Sequence, residues 1–488
     1  MRTRVAALRK RWLVTVVAVL GVIATFTAYD RLFRERPAPY FESDEEHFLY
    51  GSVGAESNEG IPYWIWLVLP RIFPDLLPGP GGYTTLGLLS KDGRDLPVGL
   101  STVTIGYPRV AVNCAFCHTG SVRAQPGDLP TIVPGAPAHQ MAAQRYSRFL
   151  IAAAADPRFT AGNILGEIAR NYRLSALDRL LYRFVVIPGT RQRLLRLKEQ
   201  GGWMDRRPDW GHGRADIFGP IRFQRVGRPI DDAIGSAEMM PLWSLARRAP
   251  QGLFWNGLHA SVRDAVVTSA LSAGASRPWL DADIAKWERT DVQGMSSLRR
   301  VERYITDLRP APYPFSVDRQ LAAAGQTVFA VECAQCHSPE GASTSGSSVD
   351  AGDTDRHRLR SWTTDASKAY DAFAGRRAWK ATSFGAGERY VSVPLDGVWI
   401  RAPYLHNGSV PSLKDLLEVP TNRPARFWRG YDVYDPVNVG FICDGPEARR
   451  TGTLHDTSQP GNANVGHDYG TALPAESKRA LLEYLKTL

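Results

Sequence analysis

A five-residue pattern occurs twice in this chain, as Cys114-Ala115-Phe116-Cys117-His118 and as Cys333-Ala334-Gln335-Cys336-His337. On one helical turn, side chains three apart share a face, so both thiols reach one edge of a flat macrocycle. The histidine next in the chain then meets the metal at its centre. C-x-x-C-H is the pattern for covalent attachment of c-type haem, with the histidine as proximal iron ligand. A C-x-x-C pair alone also suits a redox dithiol or half of a zinc site. Two copies, each followed at once by His and leaving only Cys443 over, give little room for either. Cys114, Cys117, Cys333 and Cys336 are therefore read as thioether links, and His118 and His337 as iron ligands. The expected cofactors are two covalently attached haem c groups. Cys443 reads as a small buried residue, and no structural disulfide is expected.

With 488 residues, 44% of them hydrophobic and 22% charged, the chain suits two or three ordinary globular units. Its amino terminus carries a different signal. Arg2, Arg4, Arg9, Lys10 and Arg11 precede an uncharged run from Trp12 to Tyr29. As a helix that run would measure roughly 27 Å, close to the hydrocarbon thickness of a bilayer. Basic residues stay on the cytoplasmic side, so the chain beyond the run is exported. Residues 1–11 are read as a cytoplasmic basic segment and 12–29 as a transmembrane signal anchor. The rival is a cleaved signal peptide: Val22-Ile23-Ala24 is a passable cleavage site, but no A-x-A stands there and the apolar run is long. The expected location is the bacterial inner membrane, single-pass, with the haem domains in the periplasm. Five of the basic residues behind the net charge of +10 lie before the anchor, so the exported part is only mildly basic. Nothing points to nucleic acid.

Residues 30–310 are expected to form a first haem domain with an extended lead-in, and 311–488 a second, cytochrome c-like one. From Asp30 to about Pro80 the sequence is rich in Pro, Gly and aromatics and reads as irregular. Val98–Val112 alternates like a strand and leads into the first haem motif. Helical spacing is next seen over Gln140–Ala155, Ile164–Arg183 and Thr190–Glu199, then long loops over 201–250, then helices at Ser261–Ala273 and Ala282–Asp307. A proline-rich stretch, Arg309 to Pro314, marks the boundary. Beyond it, Arg319–Phe329 and Ala475–Leu488 read as the two helices that cross beside the haem of a cytochrome c module. Asp350, Asp353 and Asp355 lie in a Ser/Gly/Asp loop that suits a calcium ion, although hydration alone explains such a loop. The fold class that results is mainly α: two cytochrome c-like domains with long irregular loops, preceded by one transmembrane helix.

The occupant of the sixth position of each iron decides between electron transfer and chemistry. All six methionines lie at or before Met295, so the second module has none. Its candidates are His357, His406, His455 and His467. The last, in a glycine-rich loop before the terminal helix, stands where a cytochrome c chain crosses the distal face, with His406 as runner-up. For the first haem, His139 and Met141 are the nearby options and neither is singled out. Trp243 and Trp255 fall in the segment that covers this haem, where indoles either carry an electron between centres or simply pack.

These motifs, with Phe254-Trp255-Asn256-Gly257 and Pro403 to Ser409, resemble the bacterial di-haem cytochrome c peroxidase superfamily. The rubber-oxygenase-like branch is most similar, through Asn113 to Gly120, Trp399 to Leu417, Tyr431 to Phe441 and Gly461 to Gly470. The resemblance implies a reactive, open amino-terminal haem and a six-coordinate carboxy-terminal relay haem with His467 as its ligand. It also implies a haem-dependent oxidoreductase, fed by a periplasmic cytochrome or copper protein or a quinol-linked chain and acting on peroxide or dioxygen. The competing class is a plain electron-transfer cytochrome. Splitting peroxide needs an acid–base group above the iron. In the peroxidases a Glu about twenty residues past the Phe-Trp-Asp-Gly stretch does this. Here no carboxylate occurs between Asp264 and Asp281. Ala265–Ala275 is apolar or small, so poor peroxidase activity is expected, with His259 the one neighbour able to substitute. Trp243, Trp255 and His259 are thus the candidate catalytic residues.

Overall fold

A computed structural model describes the chain except residues 1, 92, 250–251, 338–347, 350–353 and 388. Helices dominate, separated by long irregular stretches, and no strand among the described residues exceeds six residues. The helix Arg2–Leu32 contains, within the stretch Arg11–Leu32, an 18-residue window of mean hydropathy 2.0 with none of it buried. It meets the length and composition test that a membrane span and a signal sequence share.

The alternating stretch before the first haem motif is a hairpin. Leu100–Ile105 pairs antiparallel with Tyr107–Val112 around Gly106, and Ile61–Pro62 adds a third strand. The lead-in is more regular than its composition suggests. Tyr63–Ile72 is a helix that buries Ile65, Trp66, Val68 and Leu69.

Capping divides two stretches that apolar spacing reads as single helices. Ala161–Asn171 ends at extended Tyr172, and Ser175 accepts from the Asp178 N–H to start Ala176–Leu181. Likewise Arg277–Ile284 and Ser297–Asp307 are separate. The Asp283 carboxylate gathers the Ser296 hydroxyl and the N–H groups of Ser297 and Leu298, so a turn forms where the helix was expected to continue. A side chain that supplies the backbone with partners outside the helix is the usual reason for such a break.

In the carboxy-terminal part, Arg319–Glu332 crosses Ala475–Leu485. The crossing is close because Gly325 stands at it, where a Cβ would come within 1.9 Å of the Ala480 carbonyl oxygen.

The cores do not separate at residue 310. Trp362, Ala366, Tyr370, Trp379 and Phe384 pack into the core built by Phe218, Val266, Leu271 and Ile305. In return Val122, Val133, Ala136 and Trp243 pack with Trp399, Tyr434 and Leu481. Each half thus donates aromatic and aliphatic bulk to the other's interior.

Candidate haem centres

At the first motif the local sequence builds a rigid turn. Asn113 accepts from the Ala115 N–H at 3.0 Å and donates to the carbonyls of Leu49 and Gly51, fixing the turn Cys114–Phe116. Gly99, at φ +88°, lets the Phe116 backbone approach to where a Cβ would sit 2.4 Å from its Cα. The His118 Nδ1–H donates to the Met240 carbonyl at 2.7 Å, which leaves the Nε2 lone pair free. Burial brings His118 down to about 4, so the ring is neutral and able to bind a metal at neutral pH. Burial also pushes the Cys114 and Cys117 thiols up to about 12. A redox dithiol needs the opposite shift, and thioether formation does not.

Cys114, Cys117 and His118 open onto a largely apolar cavity of about 390 Å³. One wall is a single face of the helix Val262–Ala273, presenting Ala265, Val266, Ser269, Ser272 and Ala273. Trp255 lines the same space, its Nε1–H held by the Glu238 carbonyl at 2.9 Å. A largely apolar cavity flanked by two thiols and a neutral imidazole fits a porphyrin.

Three expectations for this centre change. His259 is fully buried outside the lining, with Nδ1 donating to the Ser383 carbonyl and Nε2 accepting from the Thr268 hydroxyl at 2.8 Å. Both ring nitrogens are engaged, and the structure does not bring His259 to the cavity that His118 faces. His139 and Met141 also lie outside the lining. His139 stacks on Phe441 at 3.6 Å between ring centres, and Met141 packs in the hairpin-side core. Met204, in the turn Gly202–Arg206, does line the cavity. Its position 87 residues past Cys117 gave the sequence no reason to single it out.

The second motif is arranged differently. The His337 Nδ1–H donates to the Val393 carbonyl at 2.8 Å. Across from it stands His467, with ring centres 6.3 Å apart and planes at 41°. Two metal–imidazole bonds of about 2.0–2.1 Å, plus roughly 1.1 Å from each nitrogen to its ring centre, sum to about 6.3 Å. The pair is spaced to bind one metal atom between them. His467 takes a left-handed φ of +55°, and its Nδ1 is buried without a partner among the described residues. Arg423 holds the loop in place, donating to the carbonyls of Asn464, Gly466 and His467 at 2.6, 2.7 and 2.9 Å. Sequence reading missed Arg423, because a lone Arg in a loop carries no pattern.

The other histidines do not face His337 in a ring contact. His406 stacks on Tyr390 at 3.9 Å and His455 packs on Phe427 near Arg214, each with Nε2 buried and without a partner among the described residues, and His357 pairs with Asp355 at 2.9 Å. That contact also occupies the one calcium candidate that is described, since Asp350 and Asp353 lie outside the described residues. Among the described residues no group of three or more His, Cys, Asp and Glu is placed to hold a metal ion.

A bonded chain joins the two proximal histidines. His118 donates to Met240, and three residues on the Trp243 Nε1–H donates to the Asp396 carbonyl at 2.6 Å. Three residues back from Asp396 is Val393, which accepts from His337.

The crossed terminal helices, the two attachment motifs and the histidine pair are the parts that a c-type cytochrome module requires. Residues 389–429 match the family described as RoxA-like, cytochrome c-like. That match gives the chain a cytochrome c-like domain, which implies haem c, and it supports the rubber-oxygenase-like side of the resemblance. Two relatives come from Sinorhizobium fredii. The uncharacterized protein y4iM is 33% identical over 231 residues, 38% of this chain and 53% of that protein. The uncharacterized protein y4iJ is 43% identical over 108 residues, 20% of this chain and 18% of that protein. The chain therefore spans about half the length of the first relative and less of the second.

Proposed function

We propose that this protein is an exported, membrane-anchored di-haem c-type cytochrome that works as an oxidoreductase. Its amino-terminal centre is the reactive one and its carboxy-terminal centre relays electrons. The observation that carries this reading is the asymmetry of the axial sides: His337 faces a second histidine at metal-binding distance, while His118 faces an apolar cavity.

Cys114, Cys117 and His118 would hold one haem, and Cys333, Cys336, His337 and His467 the other. The bound groups supply one-electron redox chemistry at iron, and the protein supplies tautomer, spacing and dryness. The backbone carbonyls of Met240 and Val393 keep each proximal imidazole in the Nε2-binding tautomer. The helix Val262–Ala273 gives the first cavity an apolar wall that would disfavour water beside the iron. Trp243, on the bonded chain between the two histidines, and Trp255, on the cavity wall, offer the routes for an electron between centres.

Dioxygen or an organic substrate suits the first cavity better than peroxide. The helix wall Val262–Ala273 presents only Ala, Val and Ser to the cavity, Glu59 pairs with Arg225, and Asp216 accepts from the N–H groups of Phe218 and Gly219. Glu238 pairs with Arg429 through Oε2, but its Oε1 is buried without a partner among the described residues and burial lifts its carboxyl to about 7, so it is the one acid of the lining left to move a proton for peroxide. Electrons would come from a periplasmic cytochrome, a copper protein or a quinol-linked chain.

Met204 favours a second reading, in which it caps the first iron and the protein only transfers electrons. Electron paramagnetic resonance of the oxidised protein decides. One high-spin and one low-spin ferric signal support the reactive centre. Two low-spin signals, one becoming high-spin in Met204→Ala, establish the relay.

A further inference from the structure

The first cavity has a charge that its own half of the chain does not explain. Two cationic side chains reach its lining, Arg225 and Arg358. Arg225 is paired with Glu59 at 2.7 Å. Arg358 makes no ion pair with any described residue, although it is 3% exposed. Its Nη1 donates to the Gly235 carbonyl, its guanidinium lies 3.9 Å over the Phe218 ring, and its Nε is buried without a partner. Asp216 bears on it electrostatically but is occupied by the N–H groups of Phe218 and Gly219. Burial brings Arg358 down to about 10, so it remains a cation near neutrality. A buried, aimed and unpaired guanidinium is costly unless an anion completes it. Planar bidentate donors of this kind match carboxylates.

The residue also comes from the wrong side of the chain. It stands in the short helix His357–Arg360, beyond the second haem motif, yet it lines the cavity of the first. In c-type haem the thiols fix the vinyl edge, and the two propionate carboxylates leave from the opposite edge.

Resting on the di-haem reading above, we propose that Arg358 binds a propionate carboxylate of the first haem. The first centre is then completed by the carboxy-terminal half, and loading that haem fastens the two halves together. Arg358 is a binding residue that sets the electrostatics of this centre.

The test compares the full-length wild-type holoprotein with Arg358→Gln and Arg358→Lys, tracking each haem by spectroelectrochemical titration. A nearby cation disfavours the ferric state, so its removal lowers the potential. In Arg358→Gln the first haem is expected to shift at least tenfold toward ferric, about 59 mV for one electron, with the second haem unmoved. Arg358→Lys keeps the charge and is expected to recover most of the shift, which a merely misfolded Gln variant would not allow. An unmoved first haem, or a shift confined to the second, overturns the proposal. A free carboxylate is the other source of the same chemistry. Saturable perturbation of the wild-type ferric spectrum by butyrate, lost in Arg358→Gln while the potential stays put, also overturns it. Haem staining of a denatured Cys333→Ser/Cys336→Ser variant separates the two failures. No stain sinks the haem reading of the first motif and the proposal with it, whereas stain with an unmoved potential sinks only the role of Arg358.

Discussion

The two C-x-x-C-H motifs differ in sequence only at Phe116 against Gln335, and they differ far more in the side chains that the fold sets opposite them. Both histidines use Nδ1 on a backbone carbonyl, at 2.7 Å and 2.8 Å, so both present the same nitrogen to a metal. Across from His337 a glycine-rich loop, pinned through Arg423, brings a second imidazole to 6.3 Å. Across from His118 lies a cavity of about 390 Å³. The motif specifies attachment and one axial ligand, and distant segments decide the other side. The segments that make the two sides differ, the loop of His467 and the helix Val262–Ala273, begin well over a hundred residues past their motifs.

The largest effect should come from breaking the closed side. His467→Ala is expected to convert the second haem completely from low to high spin, read by electron paramagnetic resonance, while His406→Ala leaves it unchanged. If the His406 variant converts and the His467 variant does not, the contrast between the two centres has been misassigned. Next in size is the ion pair that seats one half on the other. Arg429 and Glu238 are 1% and 2% exposed, and Arg429 also donates to the carbonyls of His212 and Gly408. Arg429→Met leaves a buried carboxylate alone and should cost about 3–5 kcal/mol in chemical denaturation. A Glu238→Gln/Arg429→Met double variant should recover part of that loss. A single-variant cost below about 1 kcal/mol would show that the pair is not what holds the interface.

The range of each interaction governs whether it was legible in the sequence. The attachment residues could be read because their spacing is itself the chemistry. The helices Arg319–Glu332 and Ala475–Leu485 could be read because apolar periodicity is local. The hairpin Leu100–Val112 showed as alternation. The breaks at Ser175 and Ser296 were missed because a serine cap competes with an apolar pattern that runs straight through it. His259 looked available because nothing local reveals that Ser383, 124 residues away, accepts its proton. Met204 and Arg358 reach the first cavity through tertiary packing alone. His139, read as a ligand candidate, is instead a contact between the two regions.

That contact gives the third test, through pH. His139 is fully buried on Phe441, and neither ring nitrogen has a partner among the described residues. Burial holds its folded pKa at about 4, against an ordinary 6.5. Between those values the unfolded chain binds the proton and the folded one does not, so stability falls as pH drops from about 6.5 to about 4. One such group contributes a slope of at most about 1.4 kcal/mol per pH unit, roughly 3 kcal/mol over the window. His139→Leu cannot take up the proton, so its denaturation midpoint should fall less steeply with acid than that of the parent. Equal slopes would mean that the other buried histidines carry the whole acid sensitivity.

The smallest effect should come from Trp243, and it sharpens the comparison most. The indole is 1% exposed, packs with Trp399 and Tyr434, and joins the chain of bonds between the two proximal histidines. Trp243→Phe keeps most of the apolar bulk and deletes the Nε1–H, one of two donors on the Asp396 carbonyl, which keeps Arg401. The expected cost is about 1 kcal/mol of stability. The two irons should keep their spin states, because the residues beside both carbonyls are tied down independently: Met239 and Leu242 donate to Gly213 and Gly135, and Arg401 donates to the Pro394 carbonyl. Electron exchange between the centres, monitored after flash photolysis of the carbonyl complex of the mixed-valence protein, should slow measurably. Trp255→Phe is the matched control, since it removes an indole from the cavity wall and leaves the bonded chain intact. If Trp255→Phe slows exchange and Trp243→Phe does not, the two centres communicate across the open cavity and not through the segments that hold their histidines. The asymmetry between the centres would then extend to the path between them.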